Sequence, residues 1–277
     1  MSPKPAAESA PRLHGLARFG QIVQTPVMGL LSKIHVEGGE HMPQAGPFIV
    51  APNHISEFDP VMLGVALGRY GRAVRFVAKE ELFKVPVVGP FMRKWGTIPI
   101  VRDPKPGEDA LIHARNRLEE GGIVGIYFEG TLTRDPAFWP MKGKTGLARL
   151  ALDLRVPIIP VVQWGAQDVL GRYAKLRLFR RRPNIFVRVL PALDYSDIEG
   201  TSENREGVRE LTRRLEDTLI RESGTLRNQV PPRKAWNMAD HDGPGKKYLK
   251  GFAKWRSQLA RAAGKQDILA AAPRFEG

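Results

Sequence analysis

Residues 48–60 read FIVAPNHISEFDP, an apolar run followed by a turn that carries a histidine and an aspartate. The apolar start predicts a short buried strand, since consecutive apolar residues suit the interior of a sheet. Pro52 and Asn53 end this strand, because proline lacks the N–H that a ladder needs and asparagine favours turns. Asp59 and Pro60 then indicate a helix N-cap followed by proline in the first helical position.

His54 and Asp59 therefore lie on the connection between a strand and a helix. They are five positions apart, a spacing that would turn them away from each other on a straight helix. They meet only if the loop curls back so that the carboxylate receives an imidazole N–H. A neutral histidine held by a carboxylate is a means of building a general base near pH 7. The alternative is structural, with Asp59 only a helix cap and His54 only a polar loop residue.

The composition is that of a basic globular chain. Of its 277 residues 42% are hydrophobic, enough to bury a substantial core. The formal net charge of +14 favours anionic partners such as phosphates, acidic lipid surfaces or nucleic acid. The chain has no cysteine, which excludes disulfides, a thiolate nucleophile and a cysteine-based metal site. We expect neither a secretory signal nor a membrane-spanning helix, since no apolar run approaches about eighteen residues.

Strand-like and helix-like patterns alternate through the middle of the chain. Strands are predicted at residues 34–37, 48–51, 74–78, 97–101, 123–128, 156–162 and 185–190, and helices at residues 60–69, 82–95, 109–119, 143–154 and 202–222. This alternation predicts an α/β fold, a mixed and largely parallel sheet flanked by helices. Ligands of such folds gather beyond the carboxyl ends of strands, where both His54 and Glu129 are expected.

Two outer segments flank the predicted α/β domain of residues 34–225. Residues 1–33 carry apolar residues at three- and four-residue steps with basic residues beside them, which predicts an amphipathic helical segment. Residues 226–277 hold eleven lysines and arginines against four acidic residues, and from Tyr248 to Leu259 they predict a basic amphipathic tail helix. Each helix either packs on the domain or lies on a membrane surface.

Three further stretches accompany the histidine and aspartate in chain order. They are GTIPIVR from Gly96 to Arg102, the turn Glu129-Gly130-Thr131 after an apolar strand, and the apolar run VPIIPV at residues 156–161. Together with Asn53-His54 and Asp59 they resemble the four-block signature of the glycerolipid acyltransferase family, which includes the bacterial 1-acylglycerol-3-phosphate acyltransferases. The resemblance covers roughly residues 34–190, and four blocks in order are far more specific than any one of them.

The resemblance implies a function and a set of roles. In that family the histidine is the general base, the aspartate orients it, and the later arginine and the Glu-Gly-Thr turn bind the phosphate-bearing acceptor. Here the catalytic pair would be His54 and Asp59, and the substrate-binding residues would be Gly96, Arg102, Glu129, Gly130, Thr131 and Lys142. The implied reaction moves a fatty acyl group from acyl-CoA or acyl-carrier protein to a hydroxyl of 1-acylglycerol 3-phosphate, without a cofactor or a metal.

The chemistry of the residues agrees with these roles. An alcohol is a poor nucleophile at neutral pH, so a base must accept its proton as it attacks the thioester. A phosphate calls for guanidinium or backbone N–H partners, which Arg102 and a glycine-containing turn supply. The Glu129 carboxylate would repel a phosphate, and we therefore expect it to accept hydroxyl or backbone N–H groups and hold the turn in shape.

Two departures from the family pattern concern the acceptor. Members usually have proline before the Glu-Gly-Thr turn and arginine after it, whereas this chain has Phe128 and Leu132. The missing arginine weakens the phosphate site unless Arg134 or Lys142 compensates. Glycerol 3-phosphate or another lipid alcohol is the alternative acceptor.

The charge and the absence of nucleic-acid signatures lead to a prediction of location. We expect a peripheral protein on the cytoplasmic face of an anionic membrane, with no nucleic-acid partner. The rival from another class is a non-catalytic basic protein that binds membrane or nucleic acid.

Overall fold

The structure is a computed structural model that describes residues 29, 32–71, 73–84, 98–100, 106–135, 137–170 and 182–237. Nearly all of the predicted N-terminal helical segment, the tail helix, most of the helix predicted at residues 82–95, and both Gly96 and Arg102 lie outside these ranges. Within them no helix is long and apolar enough to cross a bilayer.

Seven strands and six helices make up the described fold. The strands are β1 Lys33–Glu37, β2 Phe48–Pro52, β3 Val74–Lys79, β4 Ile98–Ile100, β5 Ile123–Gly125, β6 Ile158–Trp164 and β7 Asn184–Val189. The helices are α1 Asp59–Gly68, α2 Glu80–Phe83, α3 Pro106–Glu119, α4 Gly146–Leu154, α5 Ala166–Val169 and α6 Arg205–Arg227, with a 3₁₀ turn at Gly39–His41.

The strands form one sheet in the order β1-β7-β6-β2-β5-β3-β4. All neighbours pair in parallel except β6 and β7, which are antiparallel. The predicted α/β class with a mixed, largely parallel sheet is confirmed. Strand β7 runs opposite to β6, and β1 runs parallel to β7. The first residue of β1, Lys33, pairs with Asn184 and therefore lies at the edge of the sheet where β2, β5 and β6 end.

The apolar run of β2 occupies the centre of the sheet, with every residue buried. Its side chains alternate between the two layers, as a strand of period two requires. Ile49 and Ala51 join the core under α3, α4 and α6, and Phe48 and Val50 join the core under α1. Burial on both faces explains why this stretch is uniformly apolar.

Several element boundaries differ from the predicted ones. Asp59 is the first residue of α1 and Phe58 is its N-cap, because the Asp59 carboxylate turns back to the preceding loop instead of capping forward. Strand β5 ends at Gly125, since the chain then leaves the ladder to form the Glu-Gly-Thr turn. Helix α4 begins at Gly146, three residues later than predicted, and the short α5 was not predicted.

Helix α6 runs to Arg227, beyond its predicted end at residue 222, because Leu226 and Arg227 are buried against the domain. The following residues return to the loop after the Glu-Gly-Thr turn, where Trp236 bridges to Met141 and its carbonyl accepts the N–H of Lys142 at 2.8 Å. Part of the predicted basic linker thus packs on the domain. The division of the chain into an N-terminal segment, an α/β domain and a basic C-terminal segment stays a prediction.

Candidate active site

The loop after β2 curls so that His54 and Asp59 are in contact. Nδ1 of His54 lies 2.9 Å from Oδ2 of Asp59, and the same oxygen accepts the N–H groups of Ile55 at 2.7 Å and Ser56 at 2.9 Å. Since an ionised carboxylate only accepts, Nδ1 carries the proton. In the neutral ring Nε2 then has a free lone pair.

The two members of this pair differ in their access to solvent. The His54 side chain is 15% exposed, and that of Asp59 is fully buried. Burial raises the pKa of the Asp59 carboxyl above its ordinary value, while the His54 contact and the two backbone N–H groups oppose the shift. An incoming molecule therefore meets the imidazole and not the carboxylate.

Glu129 holds the backbone around His54. Its Oε1 accepts the N–H of His54 at 3.1 Å and its Oε2 accepts the N–H of Met141 at 2.9 Å. The side chain is buried, and this burial raises its pKa to about 8, with the nearby Asp59 and Asp135 charges adding to the shift and the two N–H donors opposing it. Its oxygens thus accept backbone amides and hold the turn, as the sequence led us to expect.

Two aromatic rings support the imidazole from one side, and the sequence had not singled them out. Tyr127 stacks on His54 at 3.8 Å between centroids, and Phe76 stacks on Tyr127 at 5.5 Å. A Cβ on Gly125 would lie 2.3 Å from the Phe76 ring, so only glycine leaves room for this arrangement. Burial and the Asp59 charge raise the pKa of Tyr127 well above its ordinary value, which keeps the phenol neutral.

The Glu-Gly-Thr turn has a cation beside it that the sequence did not identify. Gly130 adopts a positive φ of 69°, and a Cβ there would lie 3.1 Å from Nζ of Lys144. The Lys144 backbone is anchored by donating its N–H to the carbonyl of Phe128 at 2.8 Å. Lys142 is exposed, and its charge acts on Glu216 of α6.

Phe128, in place of the usual proline, has a packing partner of its own. It is 2% exposed, and a Cβ on Gly143 would lie 2.3 Å from its ring. Gly143 therefore makes the space that the larger side chain needs.

A buried arginine ties α6 to the loop that follows the turn. The guanidinium carbon of Arg227 lies 4.2 Å from the ring centroid of Trp139 and 4.1 Å from that of Trp164. Its Nη2 donates to the carbonyl of Ala137 at 2.9 Å. Burial lowers the pKa of Arg227 to about 10, against the opposing charge of Asp135.

The structure gathers His54, Asp59, Glu129, Gly130 and Thr131 at the carboxyl edge of the sheet. Arg102 and Gly96 lie outside the described residues. Within the ranges that are described, no group of three or more His, Cys, Asp or Glu side chains is arranged to hold a metal ion.

Comparison with known proteins identifies the family of this site. The acyltransferase family model matches residues 33–164, which include His54, Asp59 and Glu129. A 1-acyl-sn-glycerol-3-phosphate acyltransferase of Bacillus subtilis is 30% identical over 159 residues, which are 57% of this chain and 76% of the relative. The chain belongs to the acyltransferase family. The predicted family and the predicted enzyme class, an O-acyltransferase, are confirmed.

Other acyltransferases agree in sequence and in fold. A chloroplastic 1-acyl-sn-glycerol-3-phosphate acyltransferase of Brassica napus is 29% identical over 140 residues, 50% of this chain and 39% of that protein. The crystal structure of a 1-acyl-sn-glycerophosphate acyltransferase from Thermotoga maritima superposes with a TM-score of 0.57 at 25% identity, covering 78% of this chain and 80% of the other. The mixed α/β architecture is therefore that of a solved acyltransferase.

The raised pKa of Glu129 predicts a pH-dependent stability. Between the ordinary value of 4.5 and about 8 the folded protein holds a proton that the unfolded chain releases. Stability from this group is therefore greatest below the ordinary value and falls as the pH rises, by up to about 1.4 kcal/mol per pH unit. In Glu129→Gln the free energy of unfolding should fall less steeply between pH 5 and 8, measured by urea denaturation.

The exposed Glu203 provides a control for that measurement. Glu203→Gln should keep the wild-type slope. A Glu129→Gln slope parallel to the wild type would contradict the assignment of a raised pKa to this carboxyl.

Proposed function

We propose that the protein transfers a fatty acyl group from acyl-CoA or acyl-carrier protein to the free hydroxyl of 1-acylglycerol 3-phosphate. The single observation that carries the proposal is the contact of His54 Nδ1 with the buried Asp59 carboxylate at 2.9 Å, which leaves the other ring nitrogen to act as a base. The activity named for the Bacillus subtilis relative supports this choice of substrate.

In the proposed reaction His54 accepts the proton of the acceptor hydroxyl at Nε2 as the oxygen attacks the thioester carbonyl. The new C–O bond forms, the C–S bond breaks, and the departing thiolate takes up the proton from the imidazolium. Asp59 would hold the ring in the tautomer with the proton on Nδ1 and stabilise its transient positive charge. No covalent intermediate on the enzyme is required, since alcohol and thioester react directly.

Replacement of His54 tests this function. In His54→Ala the rate of acyl transfer should fall by about 10² to 10⁴-fold, because a positioned base contributes that factor. The measurement is turnover of labelled acyl-CoA with 1-acylglycerol 3-phosphate, and with glycerol 3-phosphate as the alternative acceptor.

His113, exposed on α3, gives the matched control, and His113→Ala should retain full activity. A His54→Ala protein that is folded and fully active would remove the general base from the proposal. Absence of acyl transfer by the wild type with either donor would favour the non-catalytic binding protein.

We propose that Lys144 contributes to binding the acceptor phosphate, together with the predicted contact from Arg102. Leu132 occupies the position where an arginine is usual, and Lys144 Nζ lies over the glycine of the same turn. An ammonium group attracts a phosphate as a point charge. Lys144 would thus supply the positive charge that the turn itself lacks.

A kinetic test separates phosphate binding by Lys144 from a contribution to the acyl-transfer step. Lys144→Ala should raise the acceptor KM about tenfold with a smaller effect on kcat, since loss of a charge-assisted contact costs about 1.5 kcal/mol. Arg149→Ala, which removes an exposed cation on the neighbouring α4, should leave KM unchanged. An unaltered KM in Lys144→Ala would mean that the phosphate binds elsewhere.

We also propose that the edge carrying His54 faces an anionic membrane on the cytoplasmic side, with no nucleic-acid partner. Lys33 begins β1 at this edge, and Trp236 lies beside Met141, whose N–H Glu129 accepts. Both basic outer segments therefore join the domain at the edge that carries the site, the C-terminal one beside the Glu129 turn and the N-terminal one three strands from β2. Their attachment would bring the imidazole towards a lipid acceptor held in the bilayer surface.

Charge reversal in the intact chain tests the membrane proposal. Replacing Lys246, Lys247, Lys250 and Lys254 by glutamate should reduce co-sedimentation with vesicles of anionic phospholipid, because each lysine near such a surface contributes about 1 kcal/mol. The corresponding change of the exposed Arg205 and Arg209 on α6 should have little effect. Unaltered binding of the lysine variant would contradict docking through the tail.

A further inference from the structure

The peptide unit that precedes His54 is held from both sides by buried side chains. The carbonyl oxygen of Asn53 accepts a hydrogen bond from Nε2 of Gln163 at 2.9 Å, and the N–H of His54 donates to Oε1 of Glu129 at 3.1 Å. Gln163 belongs to β6 and Glu129 follows β5, the two strands that flank β2. The plane of this peptide is therefore fixed at its oxygen and at its nitrogen.

Gln163 and Asn53 are joined by two more hydrogen bonds. The N–H of Gln163 donates to Oδ1 of Asn53 at 2.9 Å, and Nδ2 of Asn53 donates to the carbonyl of Gln163 at 3.2 Å. The two residues are 1% and 2% exposed, respectively. They lie just beyond the last ladder pair of β2 and β6, Pro52 with Val161, so side chains continue the pairing where the strand has ended.

A glutamine at position 163 does not satisfy all of its own hydrogen-bonding groups. Its Oε1 is buried and has no hydrogen-bond partner among the described residues. A buried unpaired acceptor is costly, and an apolar side chain of similar volume would avoid that cost. The ladder between β2 and β6 does not depend on the amide either, since it is made by backbone groups. What Nε2 adds is the bond to the Asn53 carbonyl, next to His54.

We propose that Gln163 is a positioning residue of the acyl-transfer site, acting through the Asn53–His54 peptide on the placement of the imidazole. This inference rests on the proposed function of His54. Asp59 fixes Nδ1, Tyr127 covers one ring face and the N–H of Thr133 donates to the His54 carbonyl at 2.8 Å, so a rotation of the preceding peptide plane would move Nε2. A displacement of about 1 Å at a reacting group costs about 10²-fold in rate.

Two substitutions of Gln163 test the inference through kcat and its pH dependence. Gln163→Leu should lower kcat about tenfold to a hundredfold with both KM values within twofold of wild type, because no substrate contact is removed. In Gln163→Glu the introduced carboxyl donates to the Asn53 carbonyl only when protonated, and burial favours that form. Its kcat relative to wild type should therefore rise as the pH is lowered from 8 to 6, while the Gln163→Leu ratio stays constant.

Gln167 supplies the matched control. It is also a buried glutamine, 4% exposed, but its Oε1 accepts the N–H of Gly165, and within the described residues it forms no hydrogen bond with the His54 loop. Gln167→Leu should therefore keep the wild-type kcat, even where it lowers the stability as much as Gln163→Leu does. A Gln163→Leu enzyme with kcat within twofold of wild type, or a Gln163→Glu ratio that does not rise at low pH, would overturn the inference.

A measurement without substrate keeps this inference distinct from the proposed function. In ¹⁵N-histidine NMR spectra of the full chain, Gln163→Leu should shift the ring signals of His54, assigned by their loss in His54→Ala, and Gln167→Leu should not. A wild type without acyl transfer would end the proposed function, whereas unshifted His54 signals in Gln163→Leu would end the positioning role.

Discussion

One carboxylate oxygen, Oδ2 of Asp59, sets the geometry on which the site depends. It accepts three N–H groups from the preceding loop, those of the His54 ring and of the Ile55 and Ser56 backbone. The two amides are buried, and each would cost about 1–3 kcal/mol if left unpaired. The same oxygen therefore bends the backbone and orients the ring, so that the conformation of the loop and the direction of the imidazole are not independent.

The order of the strands supplies the rest of the support. Strand β2 lies between β5 and β6, and each neighbour sends one buried side chain to the backbone beside His54. Strand β5 also leads into Tyr127, which covers one face of the ring. The three strand ends thus converge on the imidazole, while its edge stays open towards solvent. The imidazole is therefore held by hydrogen bonding and stacking while 15% of the His54 side chain remains exposed.

The sequence predicted what is encoded locally. The strand and the turn follow from residues that lie close together in the chain, and the carboxyl-edge position of Glu129 follows from an apolar run before it. The contact of His54 with Asp59 was left open by the local pattern, and the resemblance to the acyltransferase family favoured it. The direction in which Asp59 accepts hydrogen bonds did not follow, because aspartate is common both at the N-cap and in the first turn. Gln163, Lys144 and Tyr127 were missed because their positions around the His54 loop and the Glu-Gly-Thr turn depend on long-range packing.

The extension of α6 to Arg227 and the antiparallel direction of β7 could not be predicted from the sequence for the same reason. Arg227 is basic and stands near a proline pair, a local pattern typical of a linker, yet Trp139 from a distant loop and Trp164 from the end of β6 enclose it. The reversal of β7 shows in its antiparallel pairing with β6 and its parallel pairing with β1, and no local pattern records it. Long-range packing, not propensity, decided both.

The bonds between Asn53 and Gln163 join residues 110 positions apart, which bears on how the enzyme is made. Central parallel pairing of such separation forms late, because a long loop must close before any contact stabilises it. During synthesis the histidine leaves the ribosome well before the glutamine does. The hydrogen bonds that hold the His54 loop from β6 therefore cannot form until Gln163 and most of the strands have emerged.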